Sequence, residues 1–186
     1  TPDFAVAPLV ALHEAGHEIV LVVTQPDKPR GRGHALQFPP VKEAALRLGI
    51  PVAQPERARN ADFIELLRAQ KAELFVVTAF GQILPKELLE LPRYGCVNIH
   101  ASLLPAYRGA APIQWAVIDG QKESGITTMQ MDEGLDTGDI LRRYPLPIGP
   151  EETGGSLFSK LEKLGAEAIL DTVKGLEAGS IVPEKQ

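Results

Sequence analysis

The stretch GCVNIHASLLPAYRGAAPIQWA, Gly95 to Ala116, decides how the chain is read, because two polar side chains, Asn98 and His100, interrupt an apolar run with strand character. Side chains in a strand alternate between faces, so Asn98 and His100 share one face while Val97 and Ile99 share the other. The Leu-Leu-Pro that follows forces an irregular turn, since Pro105 fixes its own backbone and restricts Leu104 before it. A neutral amide and an imidazole projecting together from a strand end are suited to a small-molecule reaction site. They require a third partner from elsewhere in the chain.

The surrounding chain sets the bounds. Its 186 residues suffice for one domain with a stable core. A composition of 44% hydrophobic and 23% charged residues is that of an ordinary globular protein, and the net charge of −5 argues against nucleic acid being wrapped by the whole surface. The single cysteine, Cys96, excludes an intrachain disulfide framework and suits a reducing compartment; inside an apolar run it reads as a core residue. No apolar stretch approaches the roughly 20 residues that span a bilayer, and no secretory signal opens the chain, so a cytoplasmic location is expected. Thr1-Pro2 reads as a helix cap with proline at the first helical position, an unusual start that suggests a strand ahead of it.

From the N-terminus, helical spacing over Pro2 to Ala15 ends at Gly16, and Glu18 to Thr24 (EIVLVVT) reads as a strand buried on both faces. Gln25 to Pro40 has four prolines, two glycines and three positive charges and reads as a long loop. Helices are expected over Val41 to Leu48 and Asp62 to Ala69, with a short strand at Ile50 to Ala53 and a strong one at Glu73 to Phe80. A short helix at Pro85 to Leu91 precedes the strand Cys96 to His100. A helix at Ala110 to Ile118, a strand at Gly125 to Met131, the tight segment Asp132 to Asp139 and an extended run from Ile140 to Ile148 follow. Leu157 to Leu176 is a long amphipathic helix with Leu157, Leu161, Leu164, Ala168 and Val173 on its apolar side. Strands alternating with helices predict an α/β fold with a largely parallel central sheet.

Several motifs compete for the chemistry. His13-Glu14-Ala15-Gly16-His17 fits the H-E-x-x-H zinc pattern, but that pattern needs both histidines on an intact helix, and Gly16 ends this one. No third ligand is evident, so no metal is expected. Gly31-Arg32-Gly33 lacks the third glycine of a dinucleotide loop. As part of a basic loop, Lys28, Arg30, Arg32 and Lys42 suit contact with a phosphate backbone, and a solvated mobile loop is an equal reading. The acids Asp132, Glu133, Asp136 and Asp139 do not match an EF-hand register; one carboxylate among them could orient an imidazole.

Taken together, Asn98-Ile99-His100, Ser102-Leu103-Leu104-Pro105 and Leu135-Asp136-Thr137-Gly138 resemble the signature of the 10-formyltetrahydrofolate-dependent formyltransferases, with the family's separation of 38 residues between Asn98 and Asp136. Arg108 to Gln114 (RGAAPIQ), Thr24 to Gly33 (TQPDKPRGRG) and Met129 to Asp139 (MQMDEGLDTGD) resemble the branch of that family acting on initiator methionyl-tRNA; a formyltransferase acting on glycinamide ribonucleotide or an amino sugar, and a folate- or tRNA-binding module without turnover, are the alternative readings. The resemblance implies a Rossmann-like three-layer sandwich whose first strand, ahead of Thr1, is missing from the sequence. It implies a catalytic domain over residues 1–178 and the start of a linker to a C-terminal β domain over 179–186. It carries the reacting trio over to Asn98, His100 and Asp136, and the folate to Phe80, Gly81, Gln82, Ile83 and Leu84, to Ser102, Leu103, Leu104 and Pro105, and to Asp132. Lys28, Arg30 and Arg32 are implied tRNA contacts, although His34-Ala35 stand where a lysine pair is common. In the implied reaction Asn98 points at the formyl oxygen, a protonated His100 adds a second donor, and Asp136 favours the imidazolium. No metal takes part, and the chain is expected to act as a monomer away from membranes.

Overall fold

The structure, a computed structural model, describes residues 2–33 and 35–186; Thr1, read above as a helix cap, His34 and the side chains of Pro2 and Arg30 lie outside the described residues. A 3-10 turn at Pro2–Ala5 leads into helix α1 (Val6–Glu14), and Gly16 then takes φ +89, a left-handed conformation that ends the helix. His17 therefore sits beyond the helical register of His13. Strands β1 (Val22–Val23) and β4 (Val52–Ala53) pair in parallel on either side of helix α2 (Pro40–Arg47). Between β1 and α2, the stretch expected to be a plain loop contains an antiparallel hairpin, β2 (Lys28–Arg30) with β3 (Ala35–Gln37). Its residues Ala35–Gln37 are all exposed, so no alternating burial announces it.

Helix α3 (Ala61–Gln70) precedes β5 (Phe75–Val77), and helix α4 (Lys86–Leu89) precedes β6 (Cys96–His100), which pairs in parallel with β5. Helix α5 (Pro112–Ile118) leads to β7 (Glu123–Gln130), then β8 (Ile140–Pro147) and helix α6 (Gly154–Ala178). The order in the larger sheet is β5-β6-β7-β8. The α/β fold has the expected parallel pairs, but its last two strands join antiparallel. For β7 and β8 the reason is length: the turn between them is too short for the dozen or so residues of a parallel crossover.

The alternation read from Cys96 to His100 decides what lies on each face of β6. Val97 and Ile99 pack beneath α1 and α6 with Leu157, Leu161 and Ile169. Each such fully buried aliphatic side chain contributes about 1.5–3 kcal/mol relative to exposure. Cys96 points the other way, into a second cluster with Phe63, Leu67, Leu88 and Leu89 from α3 and α4. A third cluster places Ala44, Ala45 and Ile50 against Val22 and Leu9.

The strands β1 and β5 are shorter than their apolar runs, with two and three residues, and each pairs with one neighbour, β4 and β6 respectively. A cavity of about 1110 Å³ lies between them, lined by Leu21 and Val23 on one side, Leu74 and Val76 on the other, and Asp3 and Ala5 at the chain's head. The C-terminal ends of the two strands are tied across it: the Gln25 amide donates to Phe80 O, and Gln82 Nε2 donates to Gln25 Oε1 at 3.2 Å.

Candidate active site

Parallel strands β5 and β6 end on the same side, in register through Val77 and Asn98, so the loops that follow them share one crevice. Ligands of open α/β sheets bind in that kind of crevice. Asn98 is half-buried and His100 is 7% exposed. The turn after β7 folds back over this face and brings Asp136, 9% exposed, to His100: Asp136 Oδ2 lies 3.6 Å from His100 Nδ1. Thus the structure assembles Asn98, His100 and Asp136 from separate parts of the chain.

The other ring nitrogen is already engaged. His100 Nε2 lies 2.8 Å from Tyr107 O. A carbonyl oxygen only accepts, so Nε2 carries a hydrogen and donates it. Nδ1 is then the nitrogen left to gain or lose a proton, and it faces the Asp136 carboxylate. In a protonated His100 the Nδ1–H would also be the hydrogen available to a ligand, since Nε2 is taken by Tyr107 O. Tyr107 enters through its backbone, which explains why its side-chain identity gave no signal.

Local geometry around the trio is held from several sides. Tyr107 and Asp136 both take positive φ, +55 and +54, a region where a non-glycine residue is strained, though aspartate tolerates it better than most. Gly109 N donates to Asp136 Oδ2 at 2.8 Å, joining the Arg108 loop to the acidic turn. Asp132 accepts from Gly134 N and Thr137 Oγ1, both at 2.9 Å, so this exposed carboxylate shapes the turn. At Gly138 the turn crosses β7 so closely that a Cβ would stand 1.7 Å from Gln130 O.

Of the residues expected to meet a folate, Ser102 and Leu104 are buried, at 2% and 1% exposure, and their side chains turn inward. Ser102 Oγ donates to Ala106 O at 2.6 Å. The buried hydroxyl of Thr127 pins the same loop by donating to Ser102 O and accepting from Leu104 N. Leu103 and Pro105 are left more open, with Arg143 Nε donating to Leu104 O at 2.9 Å. In the loop after β5, Phe80 is half-buried, Gly81 is exposed and Ile83 is 88% exposed, whereas Leu84 packs inward beside Leu88. Gln82 is occupied by Gln25, Ala58 N and Glu56 O.

The basic hairpin divides. Lys28 and Arg32 are exposed, while the Arg30 side chain lies outside the described residues. Lys42, read above with them, is instead bound at 2.8 Å to Asp27 and at 2.9 Å to Gln54, and its ammonium stands 3.8 Å from the Phe38 ring centre. Hydrogen bonds from Gln54 and Lys42 hold the Asp27 carboxyl below its ordinary range. Among the described residues no group of three His, Cys, Asp or Glu side chains could hold a metal ion, and no helix is long and apolar enough to cross a membrane.

The formyl transferase family model matches residues 1–173, which include the whole of this crevice. The chain belongs to the formyl transferase family. It is 60% identical over 186 residues to the methionyl-tRNA formyltransferase of Lachnospira eligens, covering 100% of this chain and 59% of that protein. To the methionyl-tRNA formyltransferase of Desulfotalea psychrophila it is 56% identical, covering all of this chain and 58% of the relative. The chain thus spans about three fifths of the length of these curated relatives. Among solved structures, phosphoribosylglycinamide formyltransferase from Bacillus halodurans superposes with a TM-score of 0.78 at 23% identity, over 94% of this chain and 89% of that one. The corresponding enzyme from Anaplasma phagocytophilum gives a TM-score of 0.76 at 26% identity, over 91% and 81%. These likenesses establish the Rossmann-like formyltransferase fold.

Proposed function

We propose that this chain carries the reaction centre of a methionyl-tRNA formyltransferase, moving the formyl group of 10-formyltetrahydrofolate to the α-amino group of methionine on initiator tRNA. The observation that carries the reading is the buried His100–Asp136 pair beside Asn98, in a chain 60% identical to a protein of that name. The neutral amine attacks the formyl carbon, a nitrogen–carbon bond forms, and the formyl oxygen becomes an oxyanion. The Asn98 amide is the donor for that oxyanion, and one such donor typically contributes about 2.7–4 kcal/mol. His100 Nδ1 takes the proton released by the amine while the Asp136 carboxylate stabilises the imidazolium. The proton then passes to the folate nitrogen as its bond to the formyl carbon breaks. Every atom and charge balances without a metal.

In this reading the folate lies in the crevice between the 80–84 loop and the 102–105 loop, with Leu103, Pro105 and Ile83 supplying apolar contact and backbone groups reading its polar edge. Asp132 shapes the turn that closes one side. The exposed Lys28 and Arg32, with Arg30, meet the tRNA phosphates, so affinity falls as salt rises. The enzyme acts as a monomer in the cytoplasm, where Cys96 stays reduced.

The test is a comparison of acceptors in the presence of 10-formyltetrahydrofolate: methionyl-tRNA, glycinamide ribonucleotide and an amino-sugar nucleotide. Formylation of methionyl-tRNA alone is expected. Equal or faster transfer to either small acceptor would overturn the reading.

A further inference from the structure

After helix α6, residues 180–186 fold back against the domain. Helix α6 ends at Gly179 with φ +66, and Ser180 N donates back to Gly175 O at 3.0 Å. The segment then returns to the start of β8, where Ile140 and Glu184 exchange backbone hydrogen bonds of 2.7 and 2.8 Å. The Glu184 carboxylate clasps Arg143 Nη1 and Nη2 at 2.8 and 3.1 Å, and the same guanidinium holds Leu104 O. This strap delivers Gln186 to the acidic turn.

There the Gln186 carboxamide is used to capacity. Its Nε2 donates to Asp136 O at 2.8 Å and to Gly138 O at 2.7 Å. Its Oε1 accepts from Arg108 Nε at 3.0 Å and Nη2 at 2.9 Å. Two donors and two acceptor sites are all that a primary amide offers. One side chain thus holds two peptide groups on the C-terminal side of Asp136, those that follow Asp136 and Gly138, and clamps the neighbouring loop, whose Gly109 N holds the Asp136 carboxylate. Asp136 sits in a left-handed conformation that persists only where its surroundings over-determine it.

We propose that Gln186 is a positioning residue for formyl transfer. It fixes the Asp136 turn against His100 and couples that turn to Arg108. The proposal rests on the role given to Asp136 above. The Gln186→Glu substitution discriminates best, because a carboxylate keeps an oxygen for Arg108 but has no hydrogen to give Asp136 O or Gly138 O. Gln186→Ala removes both sets of bonds.

The experiment measures single-turnover and steady-state formylation of methionyl-tRNA by the full protein, with thermal midpoints in parallel. Gln186→Glu and Gln186→Ala should each lower kcat about 10- to 100-fold, as expected of a slight misplacement of a reacting group, with the folate KM changed less than about 3-fold. Both substitutions should change kcat by less than about 3-fold when combined with Asp136→Asn, because the group they position is then already disabled. Parental kcat in Gln186→Glu would overturn the proposal, and so would the full loss on top of Asp136→Asn. Parental turnover by Asp136→Asn alone would instead remove the functional reading on which the proposal stands.

Discussion

Replacing Asp136 by asparagine separates the electrostatic part of the site from its geometry. Asparagine is among the few residues that accept the +54 φ found at this position, and its carbonyl can still take the hydrogen bond from Gly109 N, so the turn should keep its shape. What is lost is charge. With an effective dielectric of roughly 20, an imidazolium and a carboxylate 3.6 Å apart attract by about 4–5 kcal/mol. The amide dipole retains part of this, which leaves about 3 kcal/mol lost where His100 carries the amine proton, or roughly 10²-fold in turnover. The assay is single-turnover formylation of methionyl-tRNA at saturating folate, paired with a thermal melt to verify that the fold is kept. Turnover within about 3-fold of the parent, at an unchanged melting midpoint, would refute the assignment of Asp136 as the partner of a charged His100.

Other consequences follow from the packing and the charges. Gly138→Ala puts a methyl group 1.7 Å from Gln130 O, so urea unfolding should show a loss at or above the roughly 1–3 kcal/mol usual for overpacking; an unchanged midpoint would mean that the turn does not cross β7 as described. Hydrogen bonds hold two carboxyls below the ordinary 3.8, Asp27 by Gln54 and Lys42 and Asp171 by Tyr144 and Arg142. Each binds its proton less tightly folded than unfolded, so their stabilisation is complete above 3.8 and disappears as pH falls through the lower folded values. Melting midpoints followed downward from about pH 5 should therefore decline less steeply in Asp27→Asn or Asp171→Asn than in the parent; parallel curves would contradict those contacts. Burial pushes the Cys96 thiol up to about 12, so a thiol reagent near pH 8 should label the protein only in denaturant.

How much of this was legible in the sequence depends on whether a feature is local. The faces of β6 could be read because a period of two is written into five consecutive residues, and Val97 and Ile99 meet α6 as the alternation demands. The long helix was legible for the same reason, its apolar side repeating with helical spacing. Strand length was less so: the apolar runs at Glu18 to Thr24 and Glu73 to Phe80 show what can be buried, whereas the paired residues number only two and three, because pairing depends on the register of a neighbouring strand distant in sequence. Direction escaped altogether. A helix between β6 and β7 looks in sequence like a parallel crossover, and only tertiary packing makes that pair antiparallel.

The site divides along the same line. Asn98 and His100 declared themselves as polar residues in an apolar strand, but no periodicity links either to Asp136, and that partner came from the resemblance of three separated motifs. The groups that set the imidazole's chemistry are harder still to see. Tyr107 acts through a carbonyl and Gly109 through an amide, groups that every residue or nearly every residue possesses, so no side-chain pattern could single them out. Gln186 is the limiting case. In the polar run Pro183-Glu184-Lys185-Gln186 an amide reads as solvated surface, and it becomes part of the acidic turn only because α6 is long enough to return the chain to β8. The candidate site is therefore composed of side chains that interrupt a pattern and backbone groups that carry none. The first kind can be sought in a sequence; the second must be inferred from the hydrogen bonds that the first kind needs.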